Sequence, residues 1–348
     1  MNSNPKVSIC VPNLNTRPYL EERFETIFKQ TLQEWEMIVC DSYSDDGSWE
    51  YIQELAAHEP RMRIFQSPRN GIYAGFNDCI RKARGEYVYI ATSDDTMMPE
   101  CLERMVAELD ATSDCNICQC ELVVIDEKGV PRPAEDQWDK YTLGAYSRNL
   151  VQMRNKRYAP HDGVVHPALF TICTSITQLL IRRVVFDRVG LFDGTWGTIG
   201  DYEWEMRAGF TENCLYIPEK LATWRIHGAQ ATQNVESVEN RLKMIDMSRQ
   251  AYARAVNVAG ANLSKIDIED VVYCLKRDVV EMGYASGTSV IQRLRYLALQ
   301  LRRYPCQVRD LVVDRFRRRH WSSWRCASRY DKLAQLLEKY NVPSPAFC

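Results

Sequence analysis

Residues 7–52 read VSICVPNLNTRPYLEERFETIFKQTLQEWEMIVCDSYSDDGSWEYI. Val7 to Val11 is a short, unbroken apolar run, the pattern of a strand buried on both faces, and Tyr19 to Gln30 carries its apolar residues at helical spacing. Met37 to Cys40 repeats the strand pattern. Ser48 to His58 repeats the helical one, with Trp49, Ile52, Leu55 and Ala56 on one face and Ser48 placed to cap the first turn. Downstream, Met62 to Phe65 reads as a third strand, Tyr73 to Lys82 as a helix and Tyr87 to Ala91 as a fourth strand. Pro99 then stands where a first helical turn tolerates it, ahead of a helix over Glu100 to Leu109. This rhythm predicts an α/β fold, a parallel sheet covered by helices on both sides.

Ligands of such sheets gather at the carboxyl ends of the strands. After the first strand comes Pro12-Asn13-Leu14-Asn15; after the second, Asp41-Ser42-Tyr43-Ser44-Asp45-Asp46-Gly47; after the fourth, Thr92-Ser93-Asp94-Asp95. No G-x-G-x-x-G follows the first strand and no G-x-x-x-x-G-K-[ST] occurs, which argues against a dinucleotide or P-loop site. Carboxylates crowded at strand tips repel one another unless a cation sits among them, and hard oxygen ligands suit Mg²⁺ or Mn²⁺. Such an ion, held by one or two carboxylates, takes its other ligands from substrate phosphates, which points to a nucleotide-like substrate.

The 7–52 stretch, followed by NGIYAGFNDCIRKARGEYVYIATSDDTMMPECL, VFDRVGLFDGTWGTIGDYEWEMRAG and ATWRIHG, resembles family 2 of the GT-A glycosyltransferases, which transfer a sugar from a nucleotide-sugar donor. The resemblance runs over about residues 5 to 230. It implies a GT-A, Rossmann-like, mostly parallel sheet flanked by helices. It also implies an inverting transfer from a nucleotide-diphosphate sugar to a saccharide or lipid-linked saccharide, in cell-surface polysaccharide or glycolipid assembly. By position, Pro12 and Asn15 match the family's P-x-x-N turn under the nucleotide base, Asp41 its base-and-ribose acid, and Arg69, Asn70 and Gly71 the loop flanking the nucleotide. Ser42 stands where the family has a second Asp. The family's D-x-D falls on Thr92-Ser93-Asp94, so Asp94 keeps the metal-binding position, with Asp95 beside it, while the first acid is replaced by Thr. His227 matches a histidine that some members add to the metal or diphosphate shell. Asp201 takes the place of the general base, preceded by Gly200 instead of Glu. An acceptor hydroxyl needs such a carboxylate to take its proton as it attacks.

These residues also have bland readings. Asp41, Asp45 and Asp46 suit a turn, Asp94 and Asp95 a helix cap, and Asp201 the favourable first turn of a helix. Cys115, Cys118 and Cys120 lie in a strand-like run with no second Cys or His pair near in sequence, so buried thiols are expected rather than zinc. Trp204 and Trp196 suit either the core or an acceptor sugar. With five histidines and no H-E-x-x-H, a zinc hydrolase has no support.

The 348 residues hold 44 basic and 46 acidic side chains and 45% hydrophobic residues, which excludes a disordered or collagen-like chain. The charge is uneven: residues 291–348 carry 13 Lys and Arg against 4 Asp and Glu, leaving net −11 on the rest. Thirteen scattered cysteines fit reduced thiols, and no stretch reaches the ~18–20 apolar residues of a bilayer span. The expectation is a cytoplasmic protein, and Arg315, Arg317, Arg318, Arg319, Trp321, Trp324 and Arg325 suit either a peripheral contact with an anionic membrane or a solvated helix face. Nothing supports a nucleic-acid partner. The expected organisation is a transferase domain over 1–235, with a nucleotide-sugar half at 5–125 and an acceptor-facing half at 126–235, then a helical basic region over 236–348. A nucleotidyltransferase on a related sheet and a silent nucleotide-sugar-binding scaffold are the alternatives.

Overall fold

The computed structural model describes residues 4–133, 143–228, 237–317 and 327–348. The chain alternates as the periodicity predicts: β1 (Val7–Asn13), α1 (Arg17–Phe28), β2 (Trp35–Asp41), α2 (Ser48–Ala56), β3 (Met62–Gln66), α3 (Ile72–Lys82), β4 (Tyr87–Ile90) and α4 (Cys101–Asp110). There follow β5 (Ile117–Ile125), the short helices α5 (Leu143–Tyr146) and α6 (Asn149–Gln152), β6 (Asn155–Arg157), α7 (His161–Leu169), β7 (Leu179–Arg182), α8 (Val184–Val189), α9 (Gly200–Thr211) and β8 (Cys214–Arg225). The C-terminal part is helical: α10 (Val238–Ala259), α11 (Ile268–Val271), α12 (Tyr273–Ala285), α13 (Val290–Gln300), α14 (Pro305–Arg317) and α15 (Ala327–Lys339), closing with the two-residue strand β9 (Ala346–Phe347).

The strands form one sheet in the order β3-β2-β1-β4-β7-β5-β8-β6-β9. β1 to β4 pair in parallel, β7 enters antiparallel between β4 and β5, and β5 and β8 are again parallel. Among the described strands only β7 and β6 run against the rest. Alternate side chains serve opposite faces. Val7, Ile9, Val11, Met37 and Val39 pack with Leu20, Phe24 and Ile27 of α1 and with Leu102 and Met105 of α4. Cys10, Ile38 and Cys40 pack on the other side with Phe76 and Ile80 of α3, Phe186 of α8 and Trp204 of α9. Cys115, Cys118 and Cys120 are buried thiols in or beside β5.

One capping expectation is corrected. Ser48 is the first residue of α2 and not its cap. Gly47, at φ 85°, takes the cap position, and Asp46 Oδ1 accepts the Ser48 N–H at 3.0 Å. Gly47 can adopt that left-handed backbone without steric cost, so the loop closes one residue earlier.

The C-terminal helices are not a free tail. α9 buries Tyr202, Met206 and Phe210 against Met244, Met247 and Ala251 of α10, with Val279 and Val280 of α12 behind them. α10 therefore forms the outer wall of the segment that carries Asp201.

Candidate active site

Three strand tips lie side by side, because the β1/β2 and β2/β3 registers align Asn13 with Asp41 and Asp41 with Gln66. Asp41 is 0% exposed. Its Oδ1 accepts hydrogen bonds from Asn13 Nδ2 (2.7 Å) and Ser44 Oγ (2.6 Å), and its Oδ2 from Ser44 N (3.0 Å) and Gln66 Nε2 (3.0 Å). The carboxylate is saturated by the loop it supports. Asn15, at φ 53°, acts similarly: its side chain donates to Asp45 Oδ1 (2.9 Å) and accepts from Asp45 N (3.0 Å), pinning the turn after β1 to the loop after β2. Arg69 donates from Nε to the Ser42 carbonyl (3.0 Å) and from Nη2 to the Tyr43 carbonyl.

Beyond these tips opens a cleft of about 510 Å³. Pro12, Arg69, Asp94, Asp95, Asp201 and His227 all line it. Asn15, Asp41 and Asn70, expected to bind the nucleotide directly, do not. Asp41 and Asn15 are spent on the loops that shape the cleft. Asn70 is exposed, on the turn in which its own N–H bonds to the Pro68 carbonyl.

One wall is built by the end of β8. Arg225, fully buried, donates its backbone N–H to Asp95 Oδ1 (2.7 Å) and its Nε–H to the Asp94 carbonyl (2.6 Å). Its Nη1 donates to the Glu127 carbonyl (3.1 Å) and its Nη2 to Glu22 Oε2 (2.6 Å). This one guanidinium locks the turn after β4 to α1 and to the loop after β5. Two residues on, His227 Nε2 lies 3.0 Å from Asp94 Oδ2, its ring against Tyr19. Asp95 has both oxygens engaged, the second by the Thr92 hydroxyl at 2.5 Å. Burial, reinforced by the neighbouring Asp94, pushes its carboxyl up to about 7. Thr92, in place of the family's first acid, thus serves as a donor to Asp95.

The facing wall is the first turn of α9. Asp201 Oδ1 accepts from the Tyr73 hydroxyl (2.9 Å) and from Tyr202 N (2.9 Å), while Oδ2 accepts no hydrogen bond among the described residues. Burial raises the Asp201 carboxyl above its ordinary value, and the Tyr73 and Tyr202 donors pull it partly back. Gly200 is required by packing. A Cβ there would stand 2.8 Å from the Tyr73 ring and 2.8 Å from the Asp193 carbonyl oxygen. Glu205, one turn along, is buried, and desolvation together with the Asp201 charge raises it well above the carboxylate range. Trp204 belongs to the core, stacked on Phe186 and Phe192 with Nε1–H donated to the Gly190 carbonyl (2.8 Å).

Sequence reasoning missed Asn13, Tyr73, Arg225 and Glu205. Tyr73 sits in a helical apolar pattern and reads as core, which its ring indeed is, and only its hydroxyl reaches the site.

Among the described residues no three His, Cys, Asp or Glu side chains converge as a metal cage. Of the cleft's carboxylates, Asp94 is the one in contact with an imidazole, that of His227. That pair fits a divalent ion only if substrate oxygens complete its shell.

Comparison with known proteins places these features in context. Residues 8–174 match the family model "Glycosyl transferase family 2". EpsE of Bacillus subtilis is 35% identical over 132 residues, 37% of this chain and 48% of EpsE. The hyaluronan synthase of Pasteurella multocida is 32% identical over 117 residues, 33% of this chain and 12% of the synthase. The chain thus spans about half or less of the length of these relatives. S. aureus TarS 1–349, solved in complex with UDP-GlcNAc, superposes with a TM-score of 0.61 over 97% of this chain and 91% of TarS 1–349, at 14% identity. At that identity the superposition speaks for a shared fold.

Proposed function

We propose that the chain, whose residues 8–174 match the model of glycosyl transferase family 2, transfers a sugar, with inversion, from a nucleotide-diphosphate sugar to a hydroxyl acceptor. The observation that carries this reading is the single cleft with Asp94 and His227 on one wall and Asp201 on the other. The supporting chemistry is local. With Oδ1 of Asp201 held by two donors, Oδ2 is left to accept the acceptor's hydroxyl proton. As that proton leaves, the acceptor oxygen bonds to the anomeric carbon, and the bond from that carbon to the diphosphate oxygen breaks with its electron pair. Burial makes Asp201 a stronger base than a solvated Asp, and Tyr73 fixes its orientation.

Asp94 and His227 would hold Mg²⁺ or Mn²⁺, the imidazole favouring the softer Mn²⁺. When bound, that ion supplies positive charge to the departing diphosphate. Pro12 and Arg69 line the donor side, on a floor kept rigid by Asp41, Asn13 and Asn15. The acceptor in this proposal is a saccharide or a lipid-linked saccharide, met at the cytoplasmic side of a membrane.

The test is product analysis with a panel of nucleotide sugars. Release of free nucleoside diphosphate is the expected result, whereas pyrophosphate would mark nucleotidyl transfer. Asp201→Asn should lower transfer by about 10²–10⁴-fold while leaving donor binding in place. An unchanged rate in that variant would sink the base assignment.

A further inference from the structure

We infer that the exposed stripe of α13 docks on an anionic lipid bilayer. The helix is anchored along one side: Leu297 is buried in the C-terminal core, and Tyr296 donates its hydroxyl hydrogen to the Val279 carbonyl, 3.0 Å away. Ser289 caps its start, its Oγ accepting from Gln292 N at 3.2 Å. Next to the anchored side stand Val290, Ile291, Leu294 and Leu301, which are 70, 64, 60 and 51% exposed. At about 100° per residue these four fall within one stripe roughly 100° wide. The same rotation sets Arg295, and Arg302 just beyond the helix end, along the solvent border of the stripe, while Arg293 turns inward, its Nε–H donated to the Gly287 carbonyl at 2.9 Å.

A solvated helix face would carry polar residues at these positions, and four aliphatic side chains gathered on one stripe mark a contact surface. The bordering arginines select the partner. An anionic bilayer takes the aliphatic side chains below its headgroups and pairs the guanidinium groups with lipid phosphates, so stripe and border are satisfied together. The wider charge is complementary too, since residues 291–348 hold 13 basic against 4 acidic residues. Of the residues on which sequence reading placed this contact, Arg315 and Arg317 stand at the end of α14, and Arg318 to Arg325 lie outside the described residues. α13 is a distinct surface for it, and no helix among the described residues is long and apolar enough to cross a membrane. The inference stands apart from the transferase reading, because none of these residues lines the cleft.

Co-sedimentation of the full chain with vesicles of phosphatidylcholine mixed with phosphatidylglycerol, against phosphatidylcholine alone, tests it. Binding is expected only to the anionic vesicles, weakened by salt and lost in Ile291→Ser/Leu294→Ser. Arg295→Gln/Arg302→Gln keeps the apolar stripe and should lower partitioning about twenty-five-fold, at about fivefold per guanidinium. A thermal melt reports whether each pair of substitutions leaves the fold intact, and if the serine pair melts early the glutamine pair carries the test. Failure to bind anionic vesicles, or binding indifferent to both pairs, overturns the proposal. So does light scattering that shows a dimer split by the serine pair, because a second copy would then cover the stripe.

Discussion

Tyr73 and the Tyr202 amide both direct their hydrogen bonds to Oδ1 of Asp201, and the consequence is measurable as a pH profile. Asp201 serves as a base only when ionised, and burial raises its carboxyl above the ordinary value near ~4, so the acid limb of kcat/KM should begin above that pH. The Tyr73 hydroxyl favours the anion. Tyr73→Phe should therefore push the limb to still higher pH, with a loss of about tenfold at the acid end that recovers as pH rises. A purely structural role would lower the profile evenly without moving the limb. At this scale the sequence discloses the residues whose chemistry has one obvious use: Asp94, Asp201 and His227 do meet at one cleft. It is silent where a side chain has two uses. The Asp41 carboxylate, placed by sequence against the nucleotide, is consumed by Asn13, Ser44 and Gln66, because cross-strand register brings those donors to it and register is a long-range property.

The element that matters most is α9. Its first residue must be glycine, since the Tyr73 ring and the Asp193 carbonyl leave no space for a side chain. Gly200→Ala should cost about 1–3 kcal/mol in thermal unfolding and misplace Asp201, lowering activity further than its stability loss explains. The same helix carries Glu205 into a buried site beside Asp201. A carboxyl whose folded-state value is raised lends stability at low pH and loses it as pH climbs from the unfolded-state value toward the folded one. Glu205→Gln cannot ionise, so it should melt above the parent protein at pH ~8 and level with it near pH ~4, the unfolded-state range of Glu. A melting difference independent of pH would contradict this. The start of the helix at Asp201 was legible, whereas Glu205 was not: a charged residue in a helical stretch reads as solvent-facing until the packing of α9 on α8 and α10 is known.

Across the whole molecule, β1 to β3 were legible because consecutive strands pair through one short helical crossover, and β4, which pairs back to β1, because its apolar run reads as a strand by itself. In the far half of the sheet only the strand-like run of β5 was legible. β7 arrives between β4 and β5, and β9 pairs with β6 from nearly 200 residues away, contacts that no local pattern encodes. Ligand binding should be felt globally. A nucleoside diphosphate with Mn²⁺ at about 100 times its Kd would stabilise the fold by about 2.7 kcal/mol. Chelator or Asp94→Asn should remove the metal-dependent share of that thermal shift, and a shift equal with and without Mn²⁺ would count against the Asp94 and His227 assignment.

The shared core of α9 and α10 sets a rule for chimeras. Tyr202, Met206 and Phe210 face Met244, Met247 and Ala251. Grafting the C-terminal helices of a relative onto this chain would replace the backing of the very turn that presents Asp201. Such hybrids should fail at the graft seam unless the inner side of α9 is exchanged with them, so the two segments are inherited as one unit.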